Sequence, residues 1–182
     1  EGMGRIIVDT PAGIMTSTNV LIEQGCRRIA YISARYNSST DRYFGYCKAL
    51  MEHHVPVRED WIVKDRDEEN GIIGLEHKFV LPKEMPTAFV CNNDVSAYAL
   101  IKALEENGYR VPEDVSVVGY DDYLYPEFGD SRITTYAVDM GEMSKIALQC
   151  LIRKIENTTY TENLHIVPGK LVVRETAKKL DK

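Results

Sequence analysis

The sequence predicts an α/β fold, a doubly wound parallel sheet with helices on both faces, and three observations carry that prediction. Short apolar runs alternate with longer segments of helical period along most of the 182 residues. Helix-length connections between strands favour parallel pairing, since an antiparallel neighbour needs only a tight turn. The run Val115–Asp122, VSVVGYDD, shows the plan most clearly: strand residues, a glycine, an aromatic and two adjacent carboxylates. An apolar run that stops abruptly in Gly and acid is a buried strand whose carboxyl end opens on a polar crevice.

Taken in order, Arg5–Val8 (RIIV) reads as a strand, and Asp9 caps a helix with Pro11 in its first turn. That helix runs to about Gln24 on an apolar stripe through Ile14, Ser17, Val20 and Leu21, and Gly25 stops it. Arg27–Ser33 is the next strand, followed by a polar loop over Arg35–Ser38. Ser39–His54 is a second helix, expected to bury Phe44, Cys47 and Leu50 or Met51, and Pro56 ends it. Trp61–Val63 is a short strand. Asp67 then caps an expected third helix, with Glu68 and Glu69 where the helix dipole favours acid. Gly71 and Gly74 fall inside that pattern as close-packing positions.

Thr87–Cys91 is a strand, Asn92-Asn93-Asp94 opens a helix over Val95–Glu106, and Asn107-Gly108 closes it. After Val115–Asp122 come an aromatic loop (Tyr123, Tyr125, Phe128) and an extended segment, Ile133–Val138. Asp139 and Glu142 stand at capping-box spacing at the head of a helix reaching about Glu156. Leu164–Arg174 reads as two short strands around Pro168-Gly169.

Composition narrows the function classes. Apolar content of 44 % and charged content of 27 % suit a folded globular chain, not a disordered one. A net charge of -6 and a pI near 5.3 argue against a nucleic-acid-binding face on these residues. Cys26, Cys47, Cys91 and Cys150 show no CxxC pair and no metal-ligand spacing, and no metal or cofactor is expected. The free thiols suit a reducing, cytoplasmic setting. No stretch is apolar enough to span a membrane, and no leader opens the sequence.

In doubly wound sheets ligands sit outside the carboxyl ends of the strands. Those ends here carry Ser33–Ser38, Asp65-Arg66, Asn92–Asp94 and Asp121-Asp122. All are polar side chains suited to hydroxyls, and none forms a glycine-rich phosphate cradle. Asn93 and Asp94 are helix caps by position, at a place where a cap can also bind. The pair Asp121-Asp122 points to capping or ligand hydrogen bonding more than to acid/base catalysis, because adjacent side chains face apart. Arg42 sits in the first turn of its helix, where a cation gains nothing from the dipole. A plain surface arginine and a binding arginine both fit that position, and the guanidinium fork suits paired hydroxyls or a carboxylate.

The ordered segments GCRRIAYIS, SSTDRYFGYCKAL, PTAFVCNNDVSAYALIKALEENGYRVPEDVSVVGYDD and ITT before a capped helix resemble the lactose-repressor/galactose-repressor family of bacterial transcription regulators. The resemblance covers nearly the whole chain. It implies a Rossmann-like, periplasmic-binding-protein-like effector core, represented here mainly by its C-terminal lobe (9–132 and 163–176). On the same resemblance, 133–158 is a crossover and helix of the N-terminal lobe, and the helix-turn-helix domain lies outside the chain.

The resemblance implies effector contacts at Arg42, Asn93 and Asp121, with Ser38, Arg66 and Asp94 as further ligand-binding positions. Tyr98 and Phe128 belong to an implied homodimer surface. Arg66 stands near where relatives place a stacking aromatic, Val138 where many carry glutamine, and Cys26 where they carry histidine. The first two departures favour a charged or atypical effector over a plain hexose. The expected function is a non-catalytic, ligand-sensing lobe of a repressor, responding to a sugar or related molecule. It meets operator DNA only through the absent domain and has no membrane partner. A sugar-binding protein of a transport system is the alternative.

Overall fold

The computed structural model describes residues 4–33, 40–67, 72–73, 78–123, 132–161 and 164–178. Among these described residues ten strands and four α-helices run in the order β1 (Arg5–Val8), α1 (Thr10–Glu23), β2 (Ile29–Ser33), α2 (Thr40–Glu52), β3 (Ile62–Lys64), β4 (Arg66–Asp67) and β5 (Ile72–Ile73). They continue through β6 (Ala88–Cys91), α3 (Asp94–Glu106), β7 (Ser116–Asp121), β8 (Thr134–Ala137), α4 (Met140–Glu156), β9 (Leu164–Val167) and β10 (Lys170–Val172).

The main sheet has six strands in the order β10-β8-β7-β6-β2-β3, and only the edge strand β10 is antiparallel. Alternation along each strand sends side chains to two cores. Ile29, Tyr31, Val90, Val118 and Tyr120 face Ile14, Leu21 and Leu50 of α1 and α2. Ala30, Ile32, Phe89 and Val117 face Leu100, Ile101 and Leu104 of α3. The sheet is therefore doubly wound, as the alternating pattern predicts.

Local chemistry sets the helix ends. Asp9 accepts the Ala12 N–H at 3.1 Å, Asn93 accepts from Ser96 and Asp139 from Glu142, so each first turn is capped by the residue that precedes it. Gly25 adopts φ +88° just past α1, a conformation that costs a glycine little.

Three expectations change. Phe44 and Met51 are exposed at 61 % and 69 %; of the expected stripe of α2, Leu50 is buried and Cys47 packs against the core, and Tyr46 and Ala49 complete it. The Tyr46 hydroxyl donates to the Ile29 carbonyl at 2.8 Å, which allows an aromatic with a polar tip to serve as the centre of that stripe. The helix expected after Asp67 gives way at its start to a short antiparallel pair, Arg66–Asp67 against Ile72–Ile73. The β-branched Ile72 and Ile73 favour extended pairing, and Asn70-Gly71 is a turn sequence. Gly71 and Gly74 lie outside the described residues. The extended segment assigned with 133–158 to another lobe also divides differently. Thr134–Ala137 is β8, hydrogen-bonded between β7 and β10 in the main sheet.

The strands β1 and β9 pair in parallel as a separate two-stranded sheet, and α4 packs beside β1. No residue of α4 is fully buried. Its Leu148, Leu151, Ile152 and Ile155, with Leu164 and Ile166 of β9, present apolar side chains to solvent. No helix among the described residues is long and apolar enough to cross a membrane.

Candidate functional site

The candidate site forms where the carboxyl ends of β2, β6 and β7 meet the first turns of α2 and α3. Arg42 reaches from α2 across the face of Tyr120, with its guanidinium carbon 4.3 Å from the ring centroid. Its Nη1 donates to the backbone carbonyl of Asn92, and its Nη2 meets Asp121 Oδ1 at 3.2 Å. A cation stacked on a half-desolvated ring gains about 0.5–2 kcal/mol. Carbonyl, carboxylate and ring together fix the guanidinium in one pose. The Arg42 and Asp121 side chains keep 24 % and 35 % of their exposure, so both remain reachable from solvent. The pair lines a cleft of about 430 Å³ with Ile6, Thr10, Tyr120, Val138 and Met143.

Asp121 and Asp122 both adopt positive φ, +100° and +54°. That region is unusual for residues with a Cβ, and strain of this kind concentrates at binding sites. The two acids have separate jobs. Asp121 holds Arg42, while Asp122 pairs with Arg174 at 2.8 Å, and Arg174 also donates to the Ile133 carbonyl. Burial pushes the Asp121 carboxyl above its ordinary range, and the Arg42 charge pulls it back.

Asp94 is an interior carboxyl, 1 % exposed. Its Oδ2 accepts the Tyr123 N–H at 3.2 Å. Its Oδ1 has no well-formed hydrogen bond among the described residues. Burial is the main cause that raises this group from 3.8 to about 7. The charges of Asp121 and Asp122 add to the rise, against the Thr135 hydroxyl and the Tyr123 N–H. Gly119 makes room for it, since a Cβ at that position would fall on Asp94 Oδ1.

The structure thus brings Arg42 and Asp121 together at one rim, with the carbonyl of Asn92 as the third partner and Asp94 buried nearby. Asn93 is half-buried and uses Oδ1 to cap α3 through the Ser96 N–H at 2.8 Å. Arg66 lies on β4, where its Nε and Nη2 clasp Asp65 at 2.7 and 3.1 Å. Tyr98 sits on α3, half-buried, with the Lys102 ammonium 5.6 Å from its ring centroid. Ser38 and Phe128 lie outside the described residues.

Two features escape the sequence reading. Tyr120 supplies the platform under Arg42, and the signal was the aromatic between the glycine and the acids of VSVVGYDD. Asp65, 5 % exposed, gathers Arg66, Asn92 and Ser96. Nothing local in the sequence marks it as a hub.

Comparison with known proteins gives consistent matches. The family model for the periplasmic binding protein-like domain matches residues 18–177. The HTH-type transcriptional repressor PurR of Vibrio parahaemolyticus is 30 % identical over 179 residues, 97 % of this chain and 54 % of the repressor. The chain thus spans about half the length of the curated relatives it matches. A crystal structure described as a transcriptional regulator LacI from Bacillus cereus superposes with a TM-score of 0.79 at 23 % identity, over 97 % of this chain and 63 % of that one. A LacI family regulator from Enterococcus faecium with bound ribose superposes at 0.77 and 21 % identity, over 98 % and 66 %.

Proposed function

We propose a function from one premise: the chain belongs to the periplasmic binding protein-like domain family, as the effector-binding part of a lactose-repressor/galactose-repressor-type regulator. Its role is to bind a small-molecule effector at the carboxyl ends of β2, β6 and β7 and to pass that event to DNA binding by a change in lobe geometry. The observation that carries this reading is the fixed Arg42 guanidinium, stacked on Tyr120 and forked between Asn92 and Asp121 at the rim of a cleft. A planar donor beside a carboxylate acceptor is the arrangement that holds adjacent hydroxyls of a sugar. Asn93, Arg66 and Ser38 are further positions proposed by resemblance.

The unit formed by β1, β9 and α4 is the part of this chain that belongs to a second lobe, and the rest of that lobe covers the exposed side of α4. Effector seated between lobes favours one of two hinge states, and the differential affinity shifts their populations. Operator DNA is contacted by a preceding helix-turn-helix domain, the assembly is a homodimer through the face bearing Tyr98, and the setting is the cytoplasm. Its role is binding and not catalysis, in line with the repressor relatives: the described residues of the site offer hydrogen bonds and a cation. The repressor relatives favour this reading over a transport protein.

Titration calorimetry of the full-length protein with ribose, other neutral pentoses and hexoses, and charged sugar derivatives tests the site. One sugar of the panel binds, and Asp121→Asn weakens it at least about tenfold, because a charged hydrogen bond contributes about 1.5–3 kcal/mol. Sugar binding that is indifferent to Asp121→Asn contradicts the assignment.

A further inference from the structure

The strand-end wall contains a second carboxylate system that lines no part of the cleft and yet touches what holds Arg42. Asp65 follows β3 and is almost fully buried. Isolated buried carboxylates are costly, and this one is fully compensated by donors. Oδ1 takes Arg66 Nε at 2.7 Å, and Oδ2 takes Arg66 Nη2 at 3.1 Å, Asn92 Nδ2 at 3.2 Å and Ser96 Oγ at 3.3 Å. Its own N–H donates to the Ser33 carbonyl at 3.0 Å. One residue therefore ties together the ends of β2, β3 and β6, the first turn of α3, and β4, reaching β2 through its backbone and β6, α3 and β4 through its side chain.

The connection to Arg42 runs through Asn92. The Asn92 side chain is held by Asp65, and the Asn92 carbonyl is the acceptor for Arg42 Nη1. Ser96, bound to the same Asp65 oxygen, closes the turn between β6 and α3 at its other end. The β6–α3 turn is pinned at Asn92 and again at Ser96, which limits the direction of the carbonyl. Arg66 is oriented by the same carboxylate directly, through two parallel N–H···O bonds that fix the plane of its guanidinium.

We propose that Asp65 is a positioning residue of the effector site, orienting Arg66 by direct pairing and Arg42 through Asn92. This assignment rests on the reading of the cleft as an effector site. Asp65 makes no contact with effector. Its contribution is preorganisation, so that two guanidinium groups are already aimed when the effector arrives.

Arginine side-chain NMR of the full-length protein tests this without any effector. The Nε–Hε resonance of Arg42, assigned by its loss in Arg42→Lys, is displaced from the unstructured position by the Tyr120 ring. Asp65→Asn preserves shape but breaks the paired charge. The Arg42 resonance then moves more than half-way to the unstructured position, and Arg66 does the same. Asp60→Asn, which breaks the exposed pair with Arg58, leaves both in place and controls for general effects of removing a carboxylate. If Asp65→Asn fails to fold, Asn92→Ala carries the test: it cuts the link to Arg42 while keeping the Asp65–Arg66 pair, so Arg42 moves and Arg66 stays. A folded variant in which the Arg42 resonance does not move overturns the proposal. Because no ligand enters the measurement, its failure leaves the effector reading standing, whereas failure of the sugar titration leaves the orientation of the two arginines standing but removes the effector site they are said to serve.

Discussion

Asp94→Asn replaces the interior carboxyl beneath Gly119 by a neutral isostere, and the structure sets both the sign and the size of the effect. In the unfolded chain this carboxyl ionises near its ordinary value of 3.8, whereas in the fold it keeps its proton up to about 7. Between those values the native state binds the extra proton, so stability falls as pH rises through the window and is flat on either side. Each tenfold difference in proton affinity is worth about 1.4 kcal/mol, which puts the full penalty above neutrality at up to about 4 kcal/mol. The asparagine never ionises, and its carbonyl oxygen still accepts the Tyr123 N–H. Urea unfolding of wild type and variant at about pH 4, about pH 6 and about pH 8 reads the difference, and groups such as Asp121 largely cancel in the subtraction. The variant is expected to match wild type at the lowest pH and to exceed it by about 2–4 kcal/mol at the highest. A difference that does not change with pH, or a variant less stable at the highest pH, refutes the argument that burial holds this proton.

Gly119→Ala tests the same packing from the opposite side. The new Cβ meets Asp94 Oδ1 and comes within 3.2 Å of Ile133 Cγ2, so the variant should lose about 1–3 kcal/mol in urea unfolding, and unchanged stability counts against the close approach. The 182-residue chain on its own exposes Leu148, Leu151, Ile152 and Ile155 on one side of α4. Sedimentation velocity should show self-association that grows with protein concentration and with added sulfate, and a concentration-independent monomer contradicts an unpartnered face.

The strand starts and helix caps were legible because they are local. Asp9, Asn93 and Asp139 each cap the helix they precede, and the alternation of strand and helix gives the doubly wound sheet directly. The buried face of α2 was legible only in part: Phe44 and Met51 are the more apolar residues, yet Tyr46 wins the core position because its hydroxyl reaches the Ile29 carbonyl. The hairpin after Asp67 was missed because acidic residues read as a helix N-terminus, while the β-branched pair that follows settles the conformation. Strand β8 lies in the main sheet because its ladder to β7 forms across a sequence gap that no window covers.

At the site, position and residue type pointed to Arg42, Asn93 and Asp121, since polar side chains at the ends of buried strands stand out. Tyr120 hid among residues read as strand core, because its ring serves both the α1/α2 core and the arginine. Asp65 and Asn92 stood among the polar strand ends suited to a ligand, but nothing in the sequence showed that they bind each other. Their meaning comes from a hydrogen-bond network between elements, and such a network is written in three dimensions only.

The central claim is that Arg42 senses the effector. It is tested most directly by fluorescence anisotropy of operator DNA with the full-length repressor, wild type against Arg42→Ala, across a panel of neutral sugars and charged sugar derivatives. Without sugar the two proteins should bind DNA with the same affinity, because Arg42 sits in the effector lobe. One sugar should change wild-type affinity by about 5–150-fold, the usual range of allosteric coupling, and leave Arg42→Ala unmoved. An Arg42→Ala protein that responds to that sugar at wild-type concentrations contradicts the account.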